Sequence, residues 1–420
     1  MDARPLLRLL VRTLPARLLV LPALLRNERS AAALDGYVAR RARALGVAVT
    51  PDPLLLGAVA PDAVLLTKPA LRQDPARHLQ PRRPGSLLRN TIRTSGTSGS
   101  PLCLVQSLGA VIREEAFIQR QLGWIGWRPG QRRAWLRGDI VDAGQPPGGP
   151  YWRRDRVGNL LVMSSYHLSD ASIGAYVAAL EAFDPVVIQA YPSSVGAIAN
   201  WMHAGGRRYA GRALRGVMTS SETLGPGVRA AIERAFGVAV FDWYGQAERV
   251  AAIGTCERGR YHVLTDYGAV ELLPLADGGS ELVGTSLNNA AMPLARYRTG
   301  DRVLVGDAGP CLCGRVFPTV DAVIGRQERS LTLPDGRLVA RLDRVFQGFE
   351  GRLVEGQVHY HGQGRFTLRV VAGAAFGSRD AAALRDRFLL RVPGVEVAVE
   401  PVAAIARGAN GKFAFIITDE

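Results

Sequence analysis

Length, composition and charge limit the class of protein. The chain has 420 residues, enough for two domains that each bury a hydrophobic core. Hydrophobic residues make up 47% of it and charged residues 21%, the profile of an ordinary soluble enzyme. The net charge of +15 suits an anionic partner, but the basic residues are spread along the chain without a Lys/Arg block. We therefore expect no nucleic acid partner.

The cysteines and the first residues bear on location. Four cysteines are too few for a disulfide framework, and residues 1–27 do not match an export signal, so we expect a cytoplasmic protein. Residues 1–27 combine many leucines with interspersed arginines, and their longest apolar run, 18–25, is too short to span a bilayer. Two interpretations stay open: an amphipathic helix packed on the body, or a basic helix making peripheral contact with an anionic membrane.

The apolar pattern predicts an α/β chain. Residues 1–93 are mostly helical in pattern, and a Gly/Ser/Thr loop follows at 94–101. A further helix includes 114–122. Between residues 180 and 250, helices alternate with short apolar runs typical of buried strands. This alternation predicts a layered α/β architecture.

The pattern changes after Gly325. Two strands that form a hairpin, a helix and a final strand are predicted in turn over 356–360, 365–370, 379–390 and 395–402. The expected fold class is therefore α/β, with a large multilayer N-terminal domain over 1–325 and a small C-terminal α+β domain over 326–420.

The loop at 94–101 has the composition of a phosphate-binding segment. Its glycines let the backbone approach a ligand closely, while hydroxyls and backbone N–H groups supply donors to phosphate oxygens. It is not a Walker loop, because no Gly-Lys-Ser/Thr follows. A serine-rich turn explains it equally well when it is considered alone. Its residues are Thr94, Ser95, Gly96, Thr97, Ser98, Gly99, Ser100 and Pro101.

Three later segments support the phosphate-loop interpretation. The segment 244–248, Tyr-Gly-Gln-Ala-Glu, follows a buried strand, and open α/β sheets bind ligands at strand ends. The segment 296–301, Arg-Tyr-Arg-Thr-Gly-Asp, ends in a carboxylate suited to a ribose diol. The segment 325–328, Gly-Arg-Gln-Glu, lies at the proposed domain joint.

Together with a Gly-Lys pair at 411–412, these motifs resemble the acyl-adenylate-forming superfamily of acyl-CoA synthetases, luciferases and peptide-synthetase adenylation domains. The resemblance covers about residue 90 to the end. It is nearest to the phenylacetate-CoA ligase-like branch, which includes relatives from capsule-biosynthesis loci. It implies an N-terminal adenylate-forming domain and a mobile C-terminal domain.

The resemblance also implies roles for individual residues. Thr94 to Gly99 would bind ATP phosphates, although Leu102 replaces the Lys often found after the proline. Tyr244 and Gly245 would border the adenine, and Glu248 would hold Mg²⁺. Asp301 would bind the ribose, and Arg326 would contact the nucleotide. Glu328 would form the hinge, where many members have Asp, and Lys412 would catalyse adenylation.

The implied reaction is activation of a carboxylic acid by ATP. Mg²⁺ and the cationic Lys412 would offset the charge repulsion between the carboxylate and the α-phosphate. The acyl group would then pass to CoA or to the phosphopantetheine thiol of a carrier protein. Two alternatives remain: an adenylyltransferase-type relative with a non-thiol acceptor, and a non-catalytic membrane-associated binding protein.

A metal site and an acid pocket complete the expectations. Three cysteines and a histidine suit a structural Zn²⁺ site if the fold brings them together: Cys256, His262, Cys311 and Cys313. Buried residues without a metal are the alternative. The pocket residues proposed for an aryl or other non-amino acid are Tyr166, His167, Tyr191, Ser220 and Ser221. The tyrosines are equally explained as packing residues.

Overall fold

The structure is a computed structural model. It describes residues 4–49, 52–81, 87–93, 102–137, 141, 150–165, 168, 170–276, 278–306, 309–326, 331–333, 338–339, 342–346, 349, 352–392, 394–407 and 413–419.

The helices follow in chain order: α1 Arg4–Arg8, α2 Leu21–Asn27, α3 Ala31–Leu45, α4 Lys68–Gln73, α5 Leu108–Trp124, α6 Asp170–Phe183, α7 Pro192–Ala204, α8 Pro226–Phe236 and α9 Ser378–Arg391. Two π-helical segments lie at Leu9–Thr13 and Ala16–Val20, and short 3₁₀ turns at Ala76–His78 and Leu342–Phe346.

The strands are β1 Gly57–Ala58, β2 Arg89–Arg93, β3 Cys103–Ser107, β4 Arg133–Arg137, β5 Trp152–Asp155, β6 Leu160–Ser164, β7 Val187–Ala190, β8 Gly216–Ser220, β9 Val240–Gly245, β10 Ala252–Thr255, β11 Tyr261–Val263, β12 Gly268–Pro274, β13 Ser280–Ser286, β14 Tyr297–Leu304, β15 Thr319–Val320, β16 Ala322–Arg326, β17 Leu331–Thr332, β18 Leu338–Val339, β19 Leu353–Tyr360, β20 Arg365–Ala372, β21 Glu396–Pro401 and β22 Ile416–Thr418.

The chain folds into two compact units that are discontinuous in sequence. The first unit comprises residues 1–131, 155–159 and 241–326. The second comprises 132–154, 160–240 and 327–420. The predicted division into domains 1–325 and 326–420 stays a prediction.

The first unit contains a five-stranded sheet with the order β1-β12-β13-β14-β16. It also contains four strands with antiparallel pairing, in the order β15-β11-β10-β9. A core of aliphatic side chains, which includes Ile253, Val263 and Leu282, is fully buried. Helix α5 begins where Ser107 Oγ accepts a hydrogen bond from the Ala110 N–H at 3.2 Å, a standard N-cap.

A buried ion pair joins the helices of the first unit to the turn between β11 and β12. Arg120 of α5 is 1% exposed and donates to both carboxylate oxygens of Asp266, at 2.7 and 3.0 Å. It also donates to the Leu24 carbonyl of α2 at 3.1 Å. Because each charge is buried, the pair must stay intact for either residue to be tolerated.

The second unit contains a layer of parallel strands. Strand β4 pairs in parallel with β6 on one side and β7 on the other, and β7 pairs in parallel with β8. The residues of β6, β7 and β8 are all buried, which agrees with the continuous apolar runs seen in the sequence. Helices α6, α7 and α8 contribute to the same hydrophobic core. The carboxyl ends of these strands therefore lie along one edge.

The second unit also contains a smaller sheet with the order β21-β20-β19-β22 and a core shared with α9. Strands β19 and β20 form the hairpin predicted from 356–360 and 365–370, and α9 and β21 match the predicted helix and strand. The mixed α/β fold class is confirmed, with long-range parallel pairs β20–β21 and β19–β22 that the sequence does not reveal.

Candidate active site and metal cluster

Glu248 lies on the turn that follows β9 in the first unit. Its side chain is buried, with 6% exposure, and Oε1 accepts a hydrogen bond from the Tyr297 hydroxyl at 3.0 Å. The next residue, Arg249, has a φ of 56°, in the left-handed region. This turn therefore fixes a carboxylate just past the end of a strand.

Two glycines allow the segment after Glu248 to lie against the β12–β13 pair. A Cβ on Gly268 would lie 1.9 Å from the Val250 carbonyl oxygen, and one on Gly284 would lie 2.6 Å from the same atom. A side chain at either position would displace Val250. The position of Glu248 thus depends on residues distant in sequence.

Asp301 lies beside Tyr244 on the same side of the first unit. The Tyr244 hydroxyl donates to Asp301 Oδ2 at 2.7 Å, and the Asp301 N–H donates to Thr299 Oγ1 at 3.0 Å. Burial, followed by the negative charge of Asp301, raises the pKa of Tyr244 well above its ordinary value. The phenol therefore stays protonated and remains a donor to Asp301.

The arginines of the Arg-Tyr-Arg-Thr-Gly-Asp segment are ion-paired. Arg296 contacts Glu271 at 2.7 Å, and Arg298 contacts Glu281 at 2.6 Å. Hydrogen bonds to these carboxylates raise the pKa of both guanidinium groups. Both arginines of the segment are therefore held by carboxylates of β12 and β13.

Several predicted site residues lie outside the described part of the chain. They are Thr94, Ser95, Gly96, Thr97, Ser98, Gly99, Tyr166, His167, Glu328 and Lys412. Strand β2 ends at Arg93 and β3 begins at Cys103, and these two residues are paired. For Arg326 the structure describes the backbone, which pairs with Asp301 across β14 and β16.

Polar side chains gather at the carboxyl edge of the parallel strands in the second unit. Tyr191 follows β7, and its N–H donates to the Leu136 carbonyl of β4 at 3.3 Å. Ser220 ends β8, with its hydroxyl 3.4 Å from that of Ser221. Ser221 has a φ of 72°, which is unusual for a residue other than glycine. Three predicted pocket residues, Tyr191, Ser220 and Ser221, are thus at one edge.

Arg137 is a candidate functional residue that the sequence interpretation missed. It ends β4, its guanidinium lies 4.3 Å from the Trp135 ring centre and 5.7 Å from that of Tyr191, and it donates to Ser220 Oγ. A guanidinium held in this way matches the planar geometry of a carboxylate. The signal available in the sequence was a charged residue directly after the apolar run of β4, at a strand end.

Glu222 ties together two distant segments of the second unit. Its Oε2 accepts from the Ser193 N–H at 3.0 Å, in the first turn of α7. Its Oε1 accepts from the Ser193 hydroxyl and from the Phe413 N–H, each at 3.1 Å. Phe413 directly follows Lys412 in sequence. Glu222 therefore holds the backbone adjacent to the predicted catalytic lysine.

The four predicted zinc ligands do converge in the first unit. The ligand atoms of Cys256, His262, Cys311 and Cys313 all lie within 4.8 Å of one another. Cys256 Sγ is 3.7 Å from Cys311 Sγ, and Cys313 Sγ is 3.3 Å from His262 Nε2. A tetrahedral ion with bonds of about 2.3 Å to sulfur and about 2.0 Å to nitrogen separates its ligand atoms by about 3.5–3.8 Å. The cluster is therefore the right size for Zn²⁺.

The surroundings of the cluster favour metal-binding protonation states at His262 and Cys313. Burial lowers the pKa of His262 to about 4, and its Nδ1 is 3.3 Å from the Phe317 carbonyl, which leaves Nε2 for a metal. Burial acts to raise the pKa of Cys313, but hydrogen bonds from the backbone and guanidinium of Arg315 outweigh it and lower that pKa. Burial raises the pKa of Cys256 to about 12, so a cation is needed to stabilise its thiolate.

No helix in the described part of the chain is long and apolar enough to cross a membrane. Residues 6–25 nevertheless present a series of exposed apolar side chains: Leu6, Leu7, Leu10, Val11, Leu18, Leu19 and Leu25.

Two curated proteins resemble this chain in sequence. CapK of Staphylococcus aureus is 22% identical over 266 residues, which cover 63% of this chain and 59% of that protein. A phenylacetate-coenzyme A ligase of Thermus thermophilus is 25% identical over 253 residues, 57% of this chain and 55% of that protein. The match thus spans less than two thirds of either relative. A scan against models of known protein families finds no match.

Solved structures show the same fold. A 2-hydroxyisobutyryl-CoA ligase in the postadenylation state, bound to R3-HIB-AMP, aligns with a TM-score of 0.61 at 20% identity, covering 97% of this chain and 91% of that one. Its complex with 2-HIB-AMP aligns with a TM-score of 0.59, covering 95% and 88%. The resemblance inferred from the motifs is therefore confirmed. The fold is shared with solved CoA-ligase structures, and the two curated relatives match the branch that the motifs indicated.

Proposed function

We propose that this chain, which has the fold of the acyl-adenylate-forming ligases and relatives in their phenylacetate-CoA ligase-like branch, is an AMP-forming acid–thiol ligase. The observation that carries the proposal is the pair of positioned carboxylates in the first unit. Glu248 and Asp301 come from separate motifs, and tyrosine hydroxyls at 3.0 and 2.7 Å hold each in place. Two fixed acceptors suit a metal–nucleotide complex, in which one binds the cation and the other the ribose.

Asp301 would accept hydrogen bonds from the ribose diol, and the neutral Tyr244 phenol would keep its carboxylate oriented. Gly245 at the end of β9, which is exposed, would border the adenine. The loop Thr94 to Gly99 and Arg326 would contact the phosphates and the nucleotide, as the resemblance implies. Glu248 would hold Mg²⁺, whose charge would neutralise the phosphate oxygens.

The acid would bind at the carboxyl edge of the parallel strands in the second unit. Arg137 and Ser220 supply donors for the carboxylate, and the Tyr191 ring is suited to contact an aryl group. Ser221, Tyr166 and His167 are the other pocket residues proposed. A pocket of this composition favours an aryl or other non-amino acid, because no carboxylate among these residues would pair with an α-amino group.

In the first half-reaction a carboxylate oxygen of the acid attacks the α-phosphorus of ATP, and pyrophosphate leaves. Lys412 would stabilise the added negative charge, and Glu222 would hold the adjacent Phe413 backbone in position. In the second half-reaction a thiolate attacks the acyl carbonyl and AMP leaves. A C-terminal domain over 326–420, hinged at Glu328, would move between one arrangement for adenylation and another for thiol transfer.

The thiol would belong to CoA or to the phosphopantetheine arm of a carrier protein. Release of AMP that requires added CoA or carrier protein supports a ligase. Formation of the adenylate without thiol-dependent release would instead indicate transfer to a non-thiol acceptor. The proposed location is the cytoplasm, which is consistent with four unpaired cysteines in the described chain.

A structural Zn²⁺ ion is part of the proposal. Cys256, His262, Cys311 and Cys313 supply four ligands, which fills a tetrahedral coordination sphere and leaves no open position for catalysis.

Peripheral contact with an anionic membrane is proposed for residues 6–25. Leu18 and Leu19 are 68% and 78% exposed, and exposed arginines such as Arg8 accompany the apolar side chains. The protein should co-sediment with vesicles that contain phosphatidylglycerol, and the double variant Leu18→Ser, Leu19→Ser should not. Equal sedimentation of both proteins would contradict this contact.

The ligase proposal is tested by ATP–pyrophosphate exchange with a panel of carboxylic acids. Exchange should appear with aryl acids and be lost in Lys412→Ala, while ATP binding measured by calorimetry is retained. Lys68→Ala is a matched control, because Lys68 and Lys412 are the two lysines of the chain. Exchange that persists in Lys412→Ala would contradict the role of this lysine, and no exchange with any acid would contradict the ligase.

A further inference from the structure

The small sheet of the second unit contains a second cluster of metal-ligating side chains. His359 and His361 are two residues apart on or directly after β19, so they lie on the same face of the strand. Asp419 follows β22, which pairs in parallel with β19 through the register Tyr360↔Thr418. The pairing of these strands brings an aspartate to two histidines from which it is about 60 residues distant.

The three side chains are in direct contact. His359 Nε2 lies 2.6 Å from Asp419 Oδ1, and His361 Nδ1 lies 2.6 Å from Asp419 Oδ2. The two imidazole rings have centres 4.2 Å apart, and one ligand atom from each of the three residues lies within 4.8 Å of the others. Two nitrogens and a carboxylate that converge in this way form a three-ligand set typical of a divalent transition metal.

A hydrogen bond outside the cluster orients one of the ligands. His361 Nε2 lies 2.9 Å from the Thr367 hydroxyl on β20. Once an ion replaces the proton between His361 Nδ1 and Asp419, Nε2 carries the ring proton and donates it to that hydroxyl, which is the state that a metal ligand requires. Histidine ligands commonly have such a partner on the second nitrogen.

The cluster is also accessible. The His359 side chain is 11% exposed, whereas the Asp419 side chain is 53% exposed, so the aspartate is the ligand that faces solvent. Ligand atoms that share a metal at about 2.1 Å lie about 3.0–3.4 Å apart. The observed 2.6 Å contacts therefore need a small outward movement, which the exposed Asp419 can make.

We propose that His359 Nε2, His361 Nδ1 and the Asp419 carboxylate bind a divalent transition-metal ion such as Zn²⁺ or Ni²⁺. Water molecules complete its coordination from the exposed side. On binding, the ion displaces the protons held between the imidazoles and the carboxylate. The site is separate from the cysteine-containing cluster of the first unit and does not rest on the proposed ligase activity.

The test uses tag-free protein loaded with one Zn²⁺ per chain, which the four-ligand cysteine cluster takes first, and titrated with NiCl₂ by calorimetry, because Ni²⁺ favours imidazole and carboxylate ligands. Wild type should bind one Ni²⁺ per chain. Loss of a ligand in His361→Ala should weaken this binding by about 100-fold. The matched control is His203→Ala, an exposed histidine of the same unit, which should bind as wild type does.

Asp419→Asn provides a second variant that keeps the size of the side chain and removes its charge. It too should weaken Ni²⁺ binding, with an unchanged far-UV circular dichroism spectrum. The proposal is overturned if wild type binds no Ni²⁺, or if wild type, His361→Ala and Asp419→Asn bind it with equal affinity.

Discussion

At the scale of single residues, the Tyr244–Asp301 hydrogen bond should affect the KM for ATP. Tyr244→Phe removes the donor that orients the Asp301 carboxylate, so the KM for ATP should rise about 5- to 10-fold, equivalent to about 1 kcal/mol for one such bond. The KM for the acid should stay as in wild type. Measurement of both constants in the exchange assay checks this, and an unchanged KM for ATP would contradict the role of Tyr244.

The same residue predicts part of the pH profile. Burial and the Asp301 charge raise the pKa of Tyr244, so the phenol stays protonated as the pH rises toward 10. We therefore expect no loss of ATP affinity between pH 8 and about pH 9.5 from this group. A tyrosine with an ordinary pKa would begin to ionise in this pH range. An ATP affinity that falls in wild type but not in Tyr244→Phe would show that Tyr244 ionises there and would contradict the raised pKa.

Arg137 predicts a separate effect on the acid. Arg137→Gln should raise the KM for the acid by about tenfold or more, since a charge-assisted hydrogen bond contributes about 1.5–3 kcal/mol, and should leave the KM for ATP unchanged. Arg156→Gln, at an exposed position, is the control. Steady-state exchange kinetics would distinguish them, and equal constants in both variants would exclude Arg137 from the acid site.

At the scale of secondary-structure elements, Glu222 links β8, the first turn of α7 and the segment before β22. Glu222→Gln keeps the side-chain size but weakens the contacts to the Ser193 and Phe413 N–H groups. We expect kcat of adenylation to fall about tenfold, for a loss of about 1.4 kcal/mol, with little change in thermal stability. Glu396→Gln on an exposed strand is the control. An unaffected kcat would show that this link does not position the lysine segment.

Elements also explain which parts of the site the sequence could reveal. The segments 244–248 and 296–301 are local motifs, so their residue types and order could be recognised in the sequence. Arg137, Glu222 and the His359–His361–Asp419 cluster depend on pairing between strands that are distant in sequence. A single sequence does not contain that register, because the same apolar run suits several pairings.

At the scale of the whole molecule, the cysteine-containing cluster should affect unfolding. It lies beside Arg315, whose guanidinium is 4.1 Å from the Trp124 ring centre and 2.7 Å from Glu257. Removal of Zn²⁺ by a chelator, or Cys313→Ser, should lower the melting temperature by several degrees, because bound metal stabilises the folded state alone. Cys103→Ser, at an exposed cysteine outside the cluster, should not. Calorimetry with metal analysis checks this, and zinc-free wild-type protein of unchanged stability would contradict it.

The composition of the two compact units is a part of the fold that a single sequence does not reveal. The mixed α/β class and the elements of the C-terminal region were predictable from hydrophobic periodicity. The two compact units were not, because each combines segments from different parts of the chain, and periodicity reports local structure alone.

The parallel pair β19–β22 has a consequence for synthesis of the protein on the ribosome. Strand β19 pairs with β20 as a local hairpin, but its other edge pairs with β22, which is made about 60 residues later. Until then the backbone N–H and C=O groups of that edge are open to other chains. Nascent chains that stall before Ile416 should therefore be prone to aggregation and dependent on chaperones.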